Sequence, residues 1–236
     1  MPNSRFCRNL FGPAGTAWPH AAAQEEAALA PTTPTAQEAF WSGQGGSDYI
    51  ERNTRTDTSA RLHFFSRVLR RAPGVASVLE LGANIGLNLH ALHALLPEAH
   101  IEAVEINPDA AASLRQIPFL AQAHQASLLS FTPSRAFDLV FTRGVLIHIE
   151  PARLPDVYDL MHRASSRYLL VAEYFNPTPV EVPYQGREGL LFKRDFAGEL
   201  LDRFPDLSLV AYDFIYRRDP VAPADDITWF LLEKRG

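Results

Sequence analysis

Residues 78–88 read Val-Leu-Glu-Leu-Gly-Ala-Asn-Ile-Gly-Leu-Asn. An apolar run that enters a glycine turn and leaves as a helix restricts the chain more than any other segment. A strand buried on both faces reads as such a run. A helix that starts directly after it must cross back over a sheet, and repetition of the unit gives right-handed crossovers and a mainly parallel sheet. The chain repeats it. Leu62, Phe65, Val68 and Leu69 recur at helical spacing between Ser59 and Arg71, and Pro73-Gly74 stops that helix. Val75 to Leu81 is a strand and Leu87 to Leu96 a helix ended by Pro97. His100 to Ile106 is a second strand, and Asn107-Pro108 opens a helix through Leu114. A weak strand at Ala123 to Ala126 follows, then Phe137 to Thr142, a helix over Pro151 to Arg163, a strand over Tyr168 to Tyr174, and a helix over Asp195 to Phe204. Leu207 to Tyr216 and Asp226 to Leu232 are β-rich, with only a short Pro220-Val221-Ala222-Pro223 linker between them, so they read as a hairpin. The expected fold is α/β and Rossmann-like, with seven strands, one of them antiparallel, and helices on both faces.

Composition agrees with one such domain. Apolar residues make up 47% of the 236 and charged residues 21%, enough for a sizeable core. The net charge of −5, from 22 basic and 27 acidic side chains, does not suit a chain built to hold a polyanion. The single cysteine, Cys7, excludes an internal disulfide framework and a cysteine-only zinc site. No apolar run approaches the ~20 residues that span a bilayer. A soluble, cytoplasmic protein without a membrane or nucleic-acid partner is therefore expected, with no metal. Residues 1–36 are expected to be a disordered leader: Ala, Pro and Thr dominate from His20 to Ala36, and Gly12, Pro13, Gly15 and Pro19 interrupt any secretory apolar stretch. The domain then runs over 37–236. At its start Phe40-Trp41 stands beside Ser42-Gly43-Gln44-Gly45-Gly46, which reads as a flexible turn. The two rings are either a staple onto the core or a lid over a ligand.

The turn itself carries chemistry. At Gly82 the backbone can approach a ligand without a side-chain clash, and Gly86 presents free amides at a helix start. Glu105 closes the second strand twenty-three residues after Gly82, where a carboxylate suits two ribose hydroxyls. A dinucleotide fingerprint would be Gly-x-Gly-x-x-Gly. Here Asn84 holds the middle position and Leu87 the last, while Glu80 precedes the turn and would repel a pyrophosphate. That pattern points to a zwitterionic nucleoside, S-adenosylmethionine.

Glu-Leu-Gly-Ala-Asn-Ile-Gly at 80–86, Val-Glu-Ile-Asn at 104–107 and Phe-Asp-Leu-Val-Phe-Thr at 137–142 resemble the successive motifs of class I S-adenosylmethionine-dependent methyltransferases. More narrowly, Phe40-Trp41, Tyr49-Ile50-x-Arg52-Asn53, Gly144 to Ile149, Glu173 to Pro177 and Leu191 to Glu199 resemble the group labelled pseudaminic acid biosynthesis-associated methylases, some of which resemble azetidine-2-carboxylate synthases. The resemblance implies that Gly82, Asn84 and Gly86 contact the amino-acid part of the cofactor, with Glu80 nearby, that Glu105 holds the ribose, that Ile106 lies against the adenine, and that Ser127 faces the adenine edge. Thr142 and Arg143 end the fourth strand at the ligand-binding edge, and Tyr49 and Arg52 join the cofactor set.

A sulfonium is a cation that aromatic faces can hold, and Tyr174 and Tyr184 are placed for this. His148 is a candidate general base near neutrality. Arg143 and Asn176 complete the reacting-centre candidates. Glu173 either orients a substrate amine or pairs with Arg143, and Lys193 beside Arg194 and Asp195 reads as a salt bridge at a helix start. The leading function is methyl transfer to a small polar acceptor, an amino sugar or amino acid derivative. The alternative is cyclisation, in which the cofactor's α-amine attacks its own γ-carbon and releases methylthioadenosine and azetidine-2-carboxylate. A non-catalytic cofactor-binding regulator is a third class. A nucleic-acid methyltransferase is not expected, because no Asn-Pro-Pro-aromatic or Asp-Pro-Pro-aromatic tetrapeptide is present.

Overall fold

The computed structural model describes residues 33–52 and 58–235. Cys7, Asn53 and all but residues 33–36 of the expected leader lie outside them; of those four, Thr35 and Ala36 belong to the start of the first helix. The first described helix, α1 (Ala36–Ser42), is capped by Thr35, whose hydroxyl accepts from the Glu38 amide while the Glu38 carboxylate accepts from the Thr35 amide. This reciprocal pair satisfies two donors that a helix start otherwise leaves open. Helices α2 (Gln44–Arg52) and α3 (Ser59–Leu69) precede the sheet.

Strand β1 (Ser77–Leu81) is buried throughout and is followed by α4 (Leu87–Leu95), β2 (His100–Glu105), α5 (Pro108–Leu114) and β3 (Gln122–Gln125). Asn107 caps α5, accepting from the amides of Asp109 and Ala110, as its place before a proline predicts. Strand β4 (Phe137–Arg143), helix α6 (Leu154–Ala164) and β5 (Ser165–Glu173) follow, then a short ribbon, β6 (Val180–Glu181) with β7 (Phe192–Lys193), that the sequence reading missed. Asp195 caps α7 (Phe196–Arg203) through the Gly198 amide, and β8 (Leu207–Ile215) and β9 (Ile227–Lys234) end the domain.

The sheet order is β3-β2-β1-β4-β5-β9-β8, and β9 runs antiparallel to both β5 and β8. The expected seven strands with one antiparallel member are therefore present. One apolar cluster includes Phe64, Phe65, Leu89, Leu92, Leu114 and Trp229 from the α3–α5 side; another includes Val157, Leu160, Met161, Phe196 and Leu200 from α6 and α7. The sheet is thus covered on both faces, which explains the continuous apolar runs of its central strands. The chain order reverses between β1 and β4, leaving a crevice at their carboxyl ends where open α/β sheets hold ligands. No helix among the described residues is long and apolar enough to cross a membrane.

Candidate functional site

A cavity lies over that crevice, and its floor follows the strand order. Ala126 and Ser127 stand at the end of β3, Glu105 and Ile106 at β2, Gly82 at β1, and Arg143 with Gly144 and Val145 at β4. With strands ~4.8 Å apart, this row extends roughly 14 Å. An elongated ligand would meet these residues in sequence.

Gly82 adopts φ +78°, and a Cβ there would lie 2.6 Å from a Val145 methyl carbon. Its amide and that of Ala83 both donate to the Val104 carbonyl, which pins the turn onto β2. Asn84 is itself left-handed, φ +48°. Its amide donates to one oxygen of Glu105 at 2.7 Å, and the Asn107 amide donates to the other at 2.8 Å. The buried carboxylate is held rigidly, with the Ile106 amide also directed at it, and its two oxygens together offer more acceptor sites than these donors fill. Burial pushes its pKa up, against the pull of those amides. Gly86 plays a different part from the one expected. A Cβ there would lie 2.7 Å from Ile117 and 2.9 Å from Leu114, so its absence lets α4 start against α5, and Gly86 does not line the cavity.

The Ser42–Gly46 stretch is not a flexible turn, since α2 begins at Gln44. Its glycines serve close packing: a Cβ on Gly45 would enter the Phe40 ring at 2.5 Å, and one on Gly46 would lie 2.0 Å from the Trp41 carbonyl. The Asn107 side-chain amide donates to the Trp41 carbonyl, tying α1 to the cap of α5. Trp41 thereby stands in the cavity wall with Tyr49 and His148, its ring 5.5 Å from Tyr49 and 4.5 Å from His148. Tyr184 packs 5.0 Å from His148 and 6.1 Å from Trp41 but does not itself line the cavity.

His148 Nδ1 lies 2.7 Å from the Leu190 carbonyl oxygen, so Nδ1 carries the hydrogen and Nε2 is the acceptor of the neutral ring. Burial pushes its pKa down to about 4. The ring is neutral at physiological pH, and the expectation of titration near neutrality is corrected.

At the β4 end, the Asn88 amide nitrogen donates to Glu80 at 2.7 Å, and the Asn88 oxygen accepts from Arg143 at 3.2 Å. Glu80 is fully buried behind Asn88 and outside the cavity lining, and burial pushes its pKa up to about 8. Glu80 therefore positions Asn88; it does not offer a charge to a ligand directly. Arg143, half-buried, lines the cavity with Arg61, which the sequence reading did not single out. Trp41 Nε1, Asn84 Oδ1 and Arg143 Nε are buried atoms of lining residues without a hydrogen-bond partner in the protein.

Other candidates lie elsewhere. Tyr174 is outside the lining and carries the Lys193 ammonium over its ring at 5.3 Å, so Lys193 makes a cation–π contact where a salt bridge was expected. Arg194 pairs with Glu199. The Asn176 amide donates to the Thr178 carbonyl within its own loop. Arg52 is exposed at the end of α2. Thr142 is buried inside β4. Glu173 neither pairs with Arg143 nor reaches a substrate: it accepts from the Val145 and Leu146 amides and braces the turn after β4, and burial raises its pKa to about 7. Glu173, Tyr174 and Asn176 share a cause, since β5 lies one strand beyond the row that forms the cavity floor.

The two buried carboxyls set a pH test. Their folded pKa values, about 8 for Glu80 and about 7 for Glu173, exceed the ordinary 4.5. The folded protein thus holds protons that the unfolded chain has released, and stability falls as pH rises toward the folded values. His148 acts in the opposite direction only below 6.5. Between pH 6.5 and 8, unfolding free energy from urea titration is expected to fall, with Glu80 contributing roughly 1–2 kcal/mol. Glu80→Gln should flatten that slope; an unchanged slope would show that Glu80 is ionised in the fold.

No protein-family model and no curated protein matches the chain. Solved structures do. The 1,6-didemethyltoxoflavin-N1-methyltransferase of Burkholderia thailandensis, solved with 1,6-didemethyltoxoflavin and S-adenosylhomocysteine, is 16% identical, with a TM-score of 0.63 over 86% of this chain and 93% of that one. The sugar N-methyltransferase KedS8 from Streptoalloteichus is 17% identical, with a TM-score of 0.57 over 83% and 94%. The amino pentose methyltransferase CalS10 from Micromonospora echinaspora, solved with S-adenosylmethionine, is 14% identical, with a TM-score of 0.57 over 80% and 96%. The shared feature is the fold, the Rossmann-like architecture of class I S-adenosylmethionine-dependent methyltransferases.

Proposed function

We propose that the cavity binds S-adenosylmethionine and that the chain transfers its methyl group to a small polar acceptor, an amino sugar or amino acid derivative. The observation that carries this reading is Glu105, fixed at the middle of the cavity floor by the backbone amides of Asn84 and Asn107. Such a group accepts from two neighbouring ribose hydroxyls at once. Toward β4, the polar side chains of Asn84 and Asn88 and the guanidinium of Arg143, with Arg61 beside it, suit the charged amino-acid end of the ligand. Toward β3, Ile106 and Leu128 give an apolar slot for a flat base. The fold-sharing enzymes that act on small nitrogen-bearing substrates support the same reading.

S-adenosylmethionine supplies a methyl carbon activated by the adjoining sulfonium. The faces of Trp41 and Tyr49 hold a cation there, at roughly 0.5–2 kcal/mol each, and exclude water. His148 Nε2 is an acceptor, but a group with a pKa of about 4 is a weak base. The site therefore suits an acceptor nitrogen that already carries a lone pair, with orientation as the main contribution.

The test incubates the purified chain with methyl-labelled S-adenosylmethionine, alone and with a panel of amino sugars and amino acids. S-adenosylhomocysteine formed only when an acceptor is present is the expected result. Methylthioadenosine and azetidine-2-carboxylate from the cofactor alone would replace methyl transfer with cyclisation. Absence of calorimetric binding to either S-adenosylmethionine or S-adenosylhomocysteine would overturn the whole reading.

A further inference from the structure

The β3 end of the cavity holds a charged group that comes from a distant part of the chain. Glu38, on α1, lines the cavity beside Ile106 and Leu129, and the Ser127 hydroxyl donates to its Oε1. Ser127 has one hydroxyl hydrogen, spent on Glu38, and its oxygen accepts from the Leu129 amide at 3.0 Å. The serine has no donor left for a ligand. Glu38 has capacity to spare: Oε2 accepts from the Thr35 amide and Oε1 from Ser127, and even with the Thr35 hydroxyl nearby the carboxylate's four acceptor sites are not all filled. Its pKa is held below the ordinary carboxylate value by those donors, although burial pulls the other way. The carboxylate is ionised and acts only as an acceptor at neutral pH.

On the assignment of Glu105 to the ribose, the base of a nucleoside must lie toward β3 or toward β4. The β4 side is occupied by Arg143, Arg61 and Asn88, which suit charged groups, whereas Ile106, Ala126, Leu128 and Leu129 line the β3 side. A flat base in that apolar slot meets the ionised Glu38 at its rim; Glu150, in the segment after β4, also lines the cavity. We infer that Glu38 is the residue that reads the exocyclic amine of the cofactor's adenine, so that α1, ahead of the first strand, completes the nucleoside site. An amino group donates to a carboxylate, whereas a 6-oxo group sets two acceptors against each other. Glu38 would therefore make the site selective for adenine over hypoxanthine.

This inference rests on the cofactor reading above, and a comparison of two ligands separates the two. Glutamine at the third helical position also serves the reciprocal cap, so Glu38→Gln keeps the local structure while replacing a pure acceptor with a group that also donates. Calorimetric titration with S-adenosylhomocysteine and with S-inosylhomocysteine, its 6-oxo analogue, gives a discrimination ratio for each protein. The wild type is expected to favour the adenine ligand strongly, and Glu38→Gln to reduce the ratio by about tenfold to a hundredfold, with the ligand-free protein still folded at the titration temperature. Binding of S-adenosylhomocysteine with the same ratio in both proteins would overturn the role of Glu38 and leave the cofactor reading intact. No binding of either ligand to the wild type would remove both.

Discussion

Glu105→Ala is expected to weaken S-adenosylhomocysteine binding by roughly 100-fold or more, because two hydrogen bonds to a charged acceptor are lost at about 1.5–3 kcal/mol each. The same change leaves the Asn84 and Asn107 amides without the acceptor they now share. Each orphaned buried donor costs about 1–3 kcal/mol, so the melting temperature should also fall, by about 2–4 °C per kcal/mol for a domain of this size. The two losses are separable. Calorimetry performed well below the lowered melting temperature reports binding by folded protein alone. Glu105→Gln, which keeps the shape and one acceptor oxygen, should recover more stability than affinity. Wild-type affinity in the folded Glu105→Ala protein would remove the ribose assignment, and with it the order of ligand parts along the cavity floor.

Glu105 was legible in the sequence because its position depends on local facts. A strand of known length follows a helix of known length, and the parallel register brings Leu81 opposite Val104, so Glu105 falls beside the turn that begins at Gly82. Asn107 was legible for a similar reason, as a capping residue ahead of a proline. Contacts made across the chain were not. Glu38 and Ser127 are 89 residues apart, and nothing near either one signals the other. The glycines at 45 and 46 read as a turn because their helix propensity is low, yet α2 forms there since only glycine admits the Phe40 ring and the Trp41 carbonyl so closely. Tertiary packing overrode local preference. Tyr174 and Asn176 drew attention as polar residues at the end of a parallel strand, the correct kind of place on the wrong strand. The cavity covers β3 to β4 and stops short of β5. Which strand ends share a cavity depends on how α1 and α2 close over the sheet, and periodicity carries no record of that.

Gly82→Ala probes the turn itself and is expected to damage both stability and binding. Two independent costs arise. A residue with a Cβ at φ +78° bears about 1–2 kcal/mol of backbone strain. The new carbon would also lie 2.6 and 2.9 Å from the two methyl carbons of Val145. Val145 cannot withdraw easily, because its amide is held at 3.0 Å by the buried Glu173 carboxylate, and overpacking at such a place costs typically about 1–3 kcal/mol. The sum, roughly 2–5 kcal/mol, corresponds to a fall in melting temperature of roughly 5–15 °C, and any shift of the turn displaces Asn84 from Glu105 and weakens cofactor binding with it. Val145→Ala on the Gly82→Ala background removes both methyl carbons from the collision but cannot change φ. The double variant should therefore regain the overpacking part, about 1–3 kcal/mol, and retain the strain. Full recovery would assign the whole effect to side-chain crowding. A single Gly82→Ala protein with unaltered melting temperature and affinity would mean that the turn moves freely, and a freely moving turn could not fix the Asn84 amide on Glu105.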